Sequence, residues 1–138
     1  TAAAMGRDRR LKRGKGRDAL FNPKINLKLG SKYLSHLMYD GNGVKNLFKT
    51  LAAYNAGPGK LGRWEVKINY QNDPLMFMES IPSPETRNFI EQVFLGLWIY
   101  RFRLDEPAPT LKQLAEGNWP HYESVSGKII EGFSNARN

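Results

Sequence analysis

Residues 51–64 read LAAYNAGPGKLGRW, and the first thing to settle about them is where a helix stops. Leu47, Leu51 and Tyr54 recur at three- and four-residue spacing, the period of one helical face. Gly57 suits the left-handed position that closes a helix. Pro58 has no N–H and a ring that crowds the preceding turn, so the same helix cannot run through it. The spacing predicts a helix that begins near Val44 and stops at Gly57. Tyr54 falls on its apolar face, where a core tyrosine with a partnered hydroxyl is the ordinary expectation. Asn55, in the last turn, can cap the helix end or hydrogen-bond a ligand. Gly57 and Gly59 let a backbone approach a neighbouring element or a bound polymer closely.

Upstream, Asn22 can cap a helix with Pro23 at its first position. Ile25, Leu29, Tyr33, Leu34, Leu37 and Met38 then form one amphipathic stripe that ends in the Asp40-Gly41-Asn42-Gly43 turn. Downstream, Trp64, Val66, Ile68 and Tyr70 alternate as a short strand would, but Asn69, Gln71, Asn72, Asp73 and Pro74 crowd around them. Residues 60–80 therefore read as a connecting loop. Ser83, Pro84 and Glu85 then form a strong helix start, with the carboxylate suited to the positive end of the helix dipole. Phe89, Ile90, Val93, Phe94, Leu97 and Trp98 make that helix apolar around more than half its circumference, which predicts a place at the centre of the core. Past Pro107 and Pro109, Thr110 and Gln113 have the spacing of a capping box for a short helix that stops at Gly117. From Ser124 the apolar content falls and a loosely held tail is expected. The reading is an all-α fold.

The chain has 138 residues and a net charge of +8, with 41% apolar residues and no cysteine. One globular domain fits that length. A disulfide framework and a thiolate metal site are excluded, and His36 and His121 lie too far apart to suggest a metal centre or a cofactor. No run approaches the roughly 20 apolar residues of a membrane span, and no signal-peptide core is visible. The chain opens on Thr1 rather than Met, as a trimmed or mature product does. The charge is local: residues 1–18 hold seven Lys or Arg against Asp8 and Asp18, so five of the eight net positive charges lie there. With Gly14 and Gly16 inside it, the run from Arg7 to Arg17 reads as a solvated loop. A contact with nucleic acid, an acidic membrane surface or an anionic polymer is the alternative.

Glu79 and Glu85 flank the stretch SIPSP. Two nearby carboxylates suggest an acid and a base, although the helix start accounts for Glu85, and salt bridging is a cheaper use for Glu79.

Three blocks carry a resemblance. NPKINLKLGSKYLSHL (22–37), LAAYNAGPGKLGRW (51–64) and FMESIPSPETRNFI (77–90) stand in the order and at the separations of matching blocks in the soluble lytic transglycosylases. The resemblance covers about residues 1–106, and the proline-containing segment 107–138 looks like the extension of longer members. It implies a lysozyme-like α-helical fold in the bacterial periplasm or envelope, with peptidoglycan glycan strands as partner and no cofactor. In that family a single glutamate acts first as acid and then as base on the bond between N-acetylmuramic acid and N-acetylglucosamine. The muramic 6-hydroxyl closes the ring to a 1,6-anhydro product, so no second carboxylate is required. Carried onto this sequence, Tyr54 supports that glutamate, Asn55 lines the cleft, and Glu79 and Glu85 contribute to its substrate-binding wall.

The family's catalytic glutamate belongs to a Glu-Ser pair followed by a GLMQ-type motif, and neither stands here in that context. Glu79-Ser80 belongs to the ESIP block and Glu123-Ser124 to the tail. Thr1 to Met5 resembles the helix that comes directly after the missing motif, so the chain is expected to begin inside the domain without its opening helices. A preceding segment or a partner chain is expected to complete the fold. The alternative function is a non-catalytic peptidoglycan-binding or scaffold module. A nucleic-acid binder using Arg7 to Arg17 is a third reading, and nucleic acid is not the expected partner.

Overall fold

The computed structural model describes residues 21–39 and 46–123. The basic run, the Asp40–Gly43 turn, Val44 and the tail from Ser124 lie outside these. Within them the chain forms helices α1 (Pro23–Tyr39), α2 (Leu47–Ala56), α3 (Pro58–Lys67), α4 (Pro74–Ser80), α5 (Pro84–Arg103) and α6 (Pro109–Ala115). No strand occurs among the described residues; an antiparallel bridge pairs Asn46 with His121. The all-α class is as expected.

Asn22 starts α1, its Oδ1 accepting from Lys24 N at 3.0 Å. The apolar stripe is buried only at its far end: Met38 is buried and Leu34 packs against the core, while Ile25 is exposed. Helix α2 is the central element, with Leu47, Phe48, Thr50, Leu51, Ala52 and Ala53 all buried. Ala52 and Ala53 carry no bulk that would hold neighbouring helices away. Its cap is Asn46, whose Oδ1 accepts from Lys49 N at 3.2 Å.

The stop at Gly57 is real, but the expected loop after it is not. Gly57, at φ 91° and ψ 147°, donates its N–H to Ala53 O at 2.9 Å, closing α2. Its carbonyl accepts from Lys60 N at 3.1 Å and Leu61 N at 3.2 Å, opening α3. Pro58 forbids continuation of one helix and suits the first position of the next, where an N–H would have no partner anyway. The strand that the alternation suggested, and that the reading as a loop set aside, is absent for a related reason. Leu61, Trp64 and Ile68 reach the core at helical spacing, and Val66, which strand alternation would place beside them, is 88% exposed. Gln71 and Asn72 then take left-handed conformations, and Asp73 caps α4 by accepting from Met76 N at 2.8 Å. Phe77 and Met78 of α4 are buried.

Helix α5 starts as read, with Ser83 as cap and Pro84 at the first position. Its expected centrality is corrected. A single stripe, Thr86, Ile90 and Phe94, is buried, while Val93, Leu95, Ile99 and Phe102 are exposed. Apolar character around a helix shows how much surface it can bury; its neighbours decide how much it does. The capping box before α6 is likewise absent. Ala108, whose methyl group has no acceptor, occupies the cap position, and Thr110 Oγ1 accepts from Trp98 Nε1 at 3.0 Å instead. Gln113 is drawn the other way, its Oε1 accepting from His121 N at 2.9 Å and its Nε2 donating to Glu123 at 2.8 Å.

Candidate functional site

The last turn of α2 meets α1 on one side and the start of α5 on the other. Tyr54 stands at that meeting point, 36% exposed, so the core position expected from its helical face is corrected. Its ring is nevertheless held. Phe89 of α5 lies parallel to it, with centroids 6.0 Å apart and planes 4° apart, and Tyr33 of α1 lies tilted at 5.5 Å. Two rings on two different helices therefore fix the direction of the phenol. Gly30 of α1 clears room for the hydroxyl: a Cβ added there would lie 3.1 Å from the Tyr54 oxygen. The result is a clamped aromatic ring at a solvent boundary, carrying a hydroxyl that can donate or accept a hydrogen bond.

Asn55 does not cap α2, since Gly57 closes that end with its own backbone. Its Oδ1 instead accepts from Thr86 Oγ1 at 2.7 Å, tying the end of α2 to the start of α5. Thr86 is 1% exposed and also stands 3.0 Å from Ser83 Oγ. Ser83 Oγ accepts from Thr86 N at 3.3 Å. Arg87, one residue on, donates to Ile81 O and fastens the ESIP turn to the same helix start.

The sequence-predicted residues thus divide. Tyr54 and Asn55 are adjacent and held by named contacts, and Glu85 is joined to them through its neighbour Thr86. Glu85 and Glu79 are both exposed, and neither forms an ion pair or side-chain hydrogen bond among the described residues. Among those residues no group of three His, Asp or Glu is placed to hold a metal ion, and no helix is long and apolar enough to cross a membrane.

Sequence reasoning missed Gly30, Tyr33, Phe89 and Thr86 as parts of this site. Tyr33 and Phe89 fit their helical stripes so well that packing absorbed them. Thr86 left a readable signal: it stands four residues before Ile90 and eight before Phe94, a hydroxyl on an otherwise apolar buried stripe.

Comparison with known proteins places these features in a family. The transglycosylase SLT domain matches residues 1–76. The soluble lytic murein transglycosylase of Escherichia coli strain K12 is 35% identical over 97 residues, covering 70% of this chain. That of Salmonella typhimurium strain LT2 is 38% identical over 87 residues, covering 63% of the chain. A putative soluble lytic murein transglycosylase of Haemophilus influenzae is 30% identical over 103 residues, covering 75%. The matches span 15%, 13% and 17% of those proteins' own lengths. No solved structure matches the chain.

Proposed function

Because this chain belongs to the transglycosylase SLT domain family, we propose that its protein is a peptidoglycan lytic transglycosylase of the bacterial envelope. The reaction is non-hydrolytic cleavage of the β-1,4 bond between N-acetylmuramic acid and N-acetylglucosamine. A general acid protonates the departing sugar's oxygen as the anomeric C–O bond breaks. The same group, now a carboxylate, removes the proton of the muramic 6-hydroxyl as that oxygen bonds to the anomeric carbon. The proton lost to the departing sugar is replaced by the one taken from the 6-hydroxyl, so the acid is regenerated, no water is consumed, and the product is a 1,6-anhydromuropeptide.

In this reading the acid comes from outside residues 1–138, and the chain supplies the support around it. The observation that carries the proposal is the clamped Tyr54. Phe89 and Tyr33 restrain its ring at the solvent boundary, and Gly30 makes room for its hydroxyl, an arrangement suited to steadying a carboxylate or a sugar oxygen. Asn55, with Glu79 and Glu85, is assigned to the substrate-binding wall. Residues 1–106 form the later part of the transglycosylase domain, and 107–138 an extension of which Pro120 and Trp119 rest on it.

Digestion of purified sacculi with full-length protein tests this. Mass spectrometry is expected to find 1,6-anhydromuropeptides; reducing-end products alone would remove the transglycosylase assignment. Binding to sacculi without any product would instead identify a non-catalytic binding module.

A further inference from the structure

We propose that Thr86 is a positioning residue that fixes the carboxamide of Asn55 so that Asn55 offers its Nδ2 protons, and not its oxygen, to a bound glycan. The inference rests on the transglycosylase reading for the identity of the ligand, but its geometry is independent of that reading. A side-chain amide is ambiguous: rotated by half a turn it changes from donor to acceptor. The contact between α2 and α5 favours one setting. Thr86 N–H donates to Ser83 Oγ, and the single proton of Thr86 Oγ1 has two acceptors in reach, Asn55 Oδ1 at 2.7 Å and Ser83 Oγ at 3.0 Å. The shorter contact takes that proton, so Thr86 donates to Asn55 Oδ1 and the Ser83 hydroxyl can turn its own proton to Thr86 Oγ1. Each proton is used once, and the 2.7 Å length is that of an O–H···O bond, shorter than an N–H···O bond commonly is. Because Thr86 is almost completely buried, water does not compete for it.

The other end of the amide is unanswered among the described residues. Among the described residues no side-chain nitrogen or oxygen shut off from solvent lacks a partner. Asn55 is half-buried, and no partner of its Nδ2 stands among the described residues. A donor already oriented by the protein loses little freedom when it binds, which favours a ligand oxygen that accepts. On a glycan strand that chemistry belongs to the acetamido carbonyl, a hydroxyl or a bridging oxygen. A ligand group that can only donate finds no acceptor in the fixed amide.

The test uses full-length protein and soluble glycan strands, with kcat, KM and melting temperature measured for each variant. Asn55→Ala and Thr86→Val are each expected to raise KM by roughly tenfold, the worth of one good hydrogen bond, with a smaller change in kcat. The double variant is expected to be no worse than Asn55→Ala alone, because Thr86 acts through Asn55. Thr86→Ser keeps the hydroxyl and loses the buried methyl, so KM is expected to stay at the wild-type value while the melting temperature falls. Multiplicative effects in the double variant, or a rise in KM for Thr86→Ser equal to that of Thr86→Val, would overturn the proposal and leave Thr86 as packing alone. If Thr86→Val does not fold, Thr86→Ser against wild type decides. If the wild type releases no anhydro product, the transglycosylase reading fails by itself, and the same coupling is then scored on the Kd for the strands.

Discussion

The two ends of α2 are built for different purposes. At its beginning the polar groups are answered from within the chain by named partners. Asn46 caps it, and Leu47 N, a donor with no partner inside the helix, gives its proton to Pro120 O at 2.8 Å. Lys49 pairs with Glu65 at 2.9 Å and sits 5.0 Å from the centre of the Trp119 ring. Trp119 packs on Tyr70 and Phe77 and donates to Asn72 at 3.0 Å. At the other end the aromatic clamping is comparable, but Tyr54 stands in part open to solvent and, among the described residues, the Asn55 amide is answered on one side only. A closed network suits stability. An equally ordered but open one suits binding, because what is left unpaired is already aimed.

Removing groups from each end should separate the two roles. The largest effect is expected for Trp119→Ala: loss of the ring and of the Asn72 bond should cost about 3 kcal/mol of stability, the scale for truncating a packed aromatic residue. Urea unfolding would read this as a lower midpoint. Product formation per folded molecule should stay near wild type, and a selective loss of activity would show that the closed end also serves the site. Tyr54→Phe should do the opposite. The ring stack survives and only the hydroxyl goes, so the melting temperature should hold while kcat falls by about a hundredfold, ~2.7 kcal/mol in the barrier. Unchanged turnover would return Tyr54 to an ordinary packing role.

The junction between α2 and α3 comes next in size. Gly57 lies at φ 91° and ψ 147°, a conformation that side chains disfavour, and nothing lies within 4 Å of a Cβ added there. The cost of Gly57→Ala is therefore conformational rather than steric, about 2 kcal/mol. Because Gly57 directly follows the turn carrying Tyr54 and Asn55, activity should fall as well as stability. A drop in stability alone, with full activity in the molecules that remain folded, would uncouple this joint from the open end.

Local rules made part of this legible in the sequence. Asn22 with Pro23 and Ser83 with Pro84 start their helices as read, since those side chains act within a few residues of themselves. Gly57 was readable as a stop for the same reason. Pro58 as a start was not, because proline is informative in both directions and the apolar spacing of Trp64, Val66, Ile68 and Tyr70 fits a strand until burial separates Val66 from the others. Thr110 and Gln113 had the right spacing for a cap, but stronger partners distant in sequence, Trp98, His121 and Glu123, took both side chains. The candidate site shows the same division. Tyr54 and Asn55 stood out from their block, whereas the contacts that orient them join residues from 21 to 35 positions apart and required the fold.

The smallest expected effect is the most informative about Tyr54. Gly30 lies inside α1, where alanine is favoured over glycine by about 0.5–1 kcal/mol, so Gly30→Ala should stabilise the helix if nothing opposes it. What opposes it is the Tyr54 oxygen, 3.1 Å from the added carbon. A tyrosine hydroxyl is the far end of a side chain and would ordinarily swing aside, but this ring is stacked on Phe89 and bounded by Tyr33. Relief must come as a shift of a few tenths of an ångström in the whole phenol, a disturbance that stability barely registers and chemistry does. The expected result is an unchanged or slightly higher melting temperature together with a kcat several-fold lower, since placement on that scale matters to proton transfer. Higher stability with full activity would mean that the hydroxyl has freedom to spare, and would deprive the clamped phenol of its functional meaning.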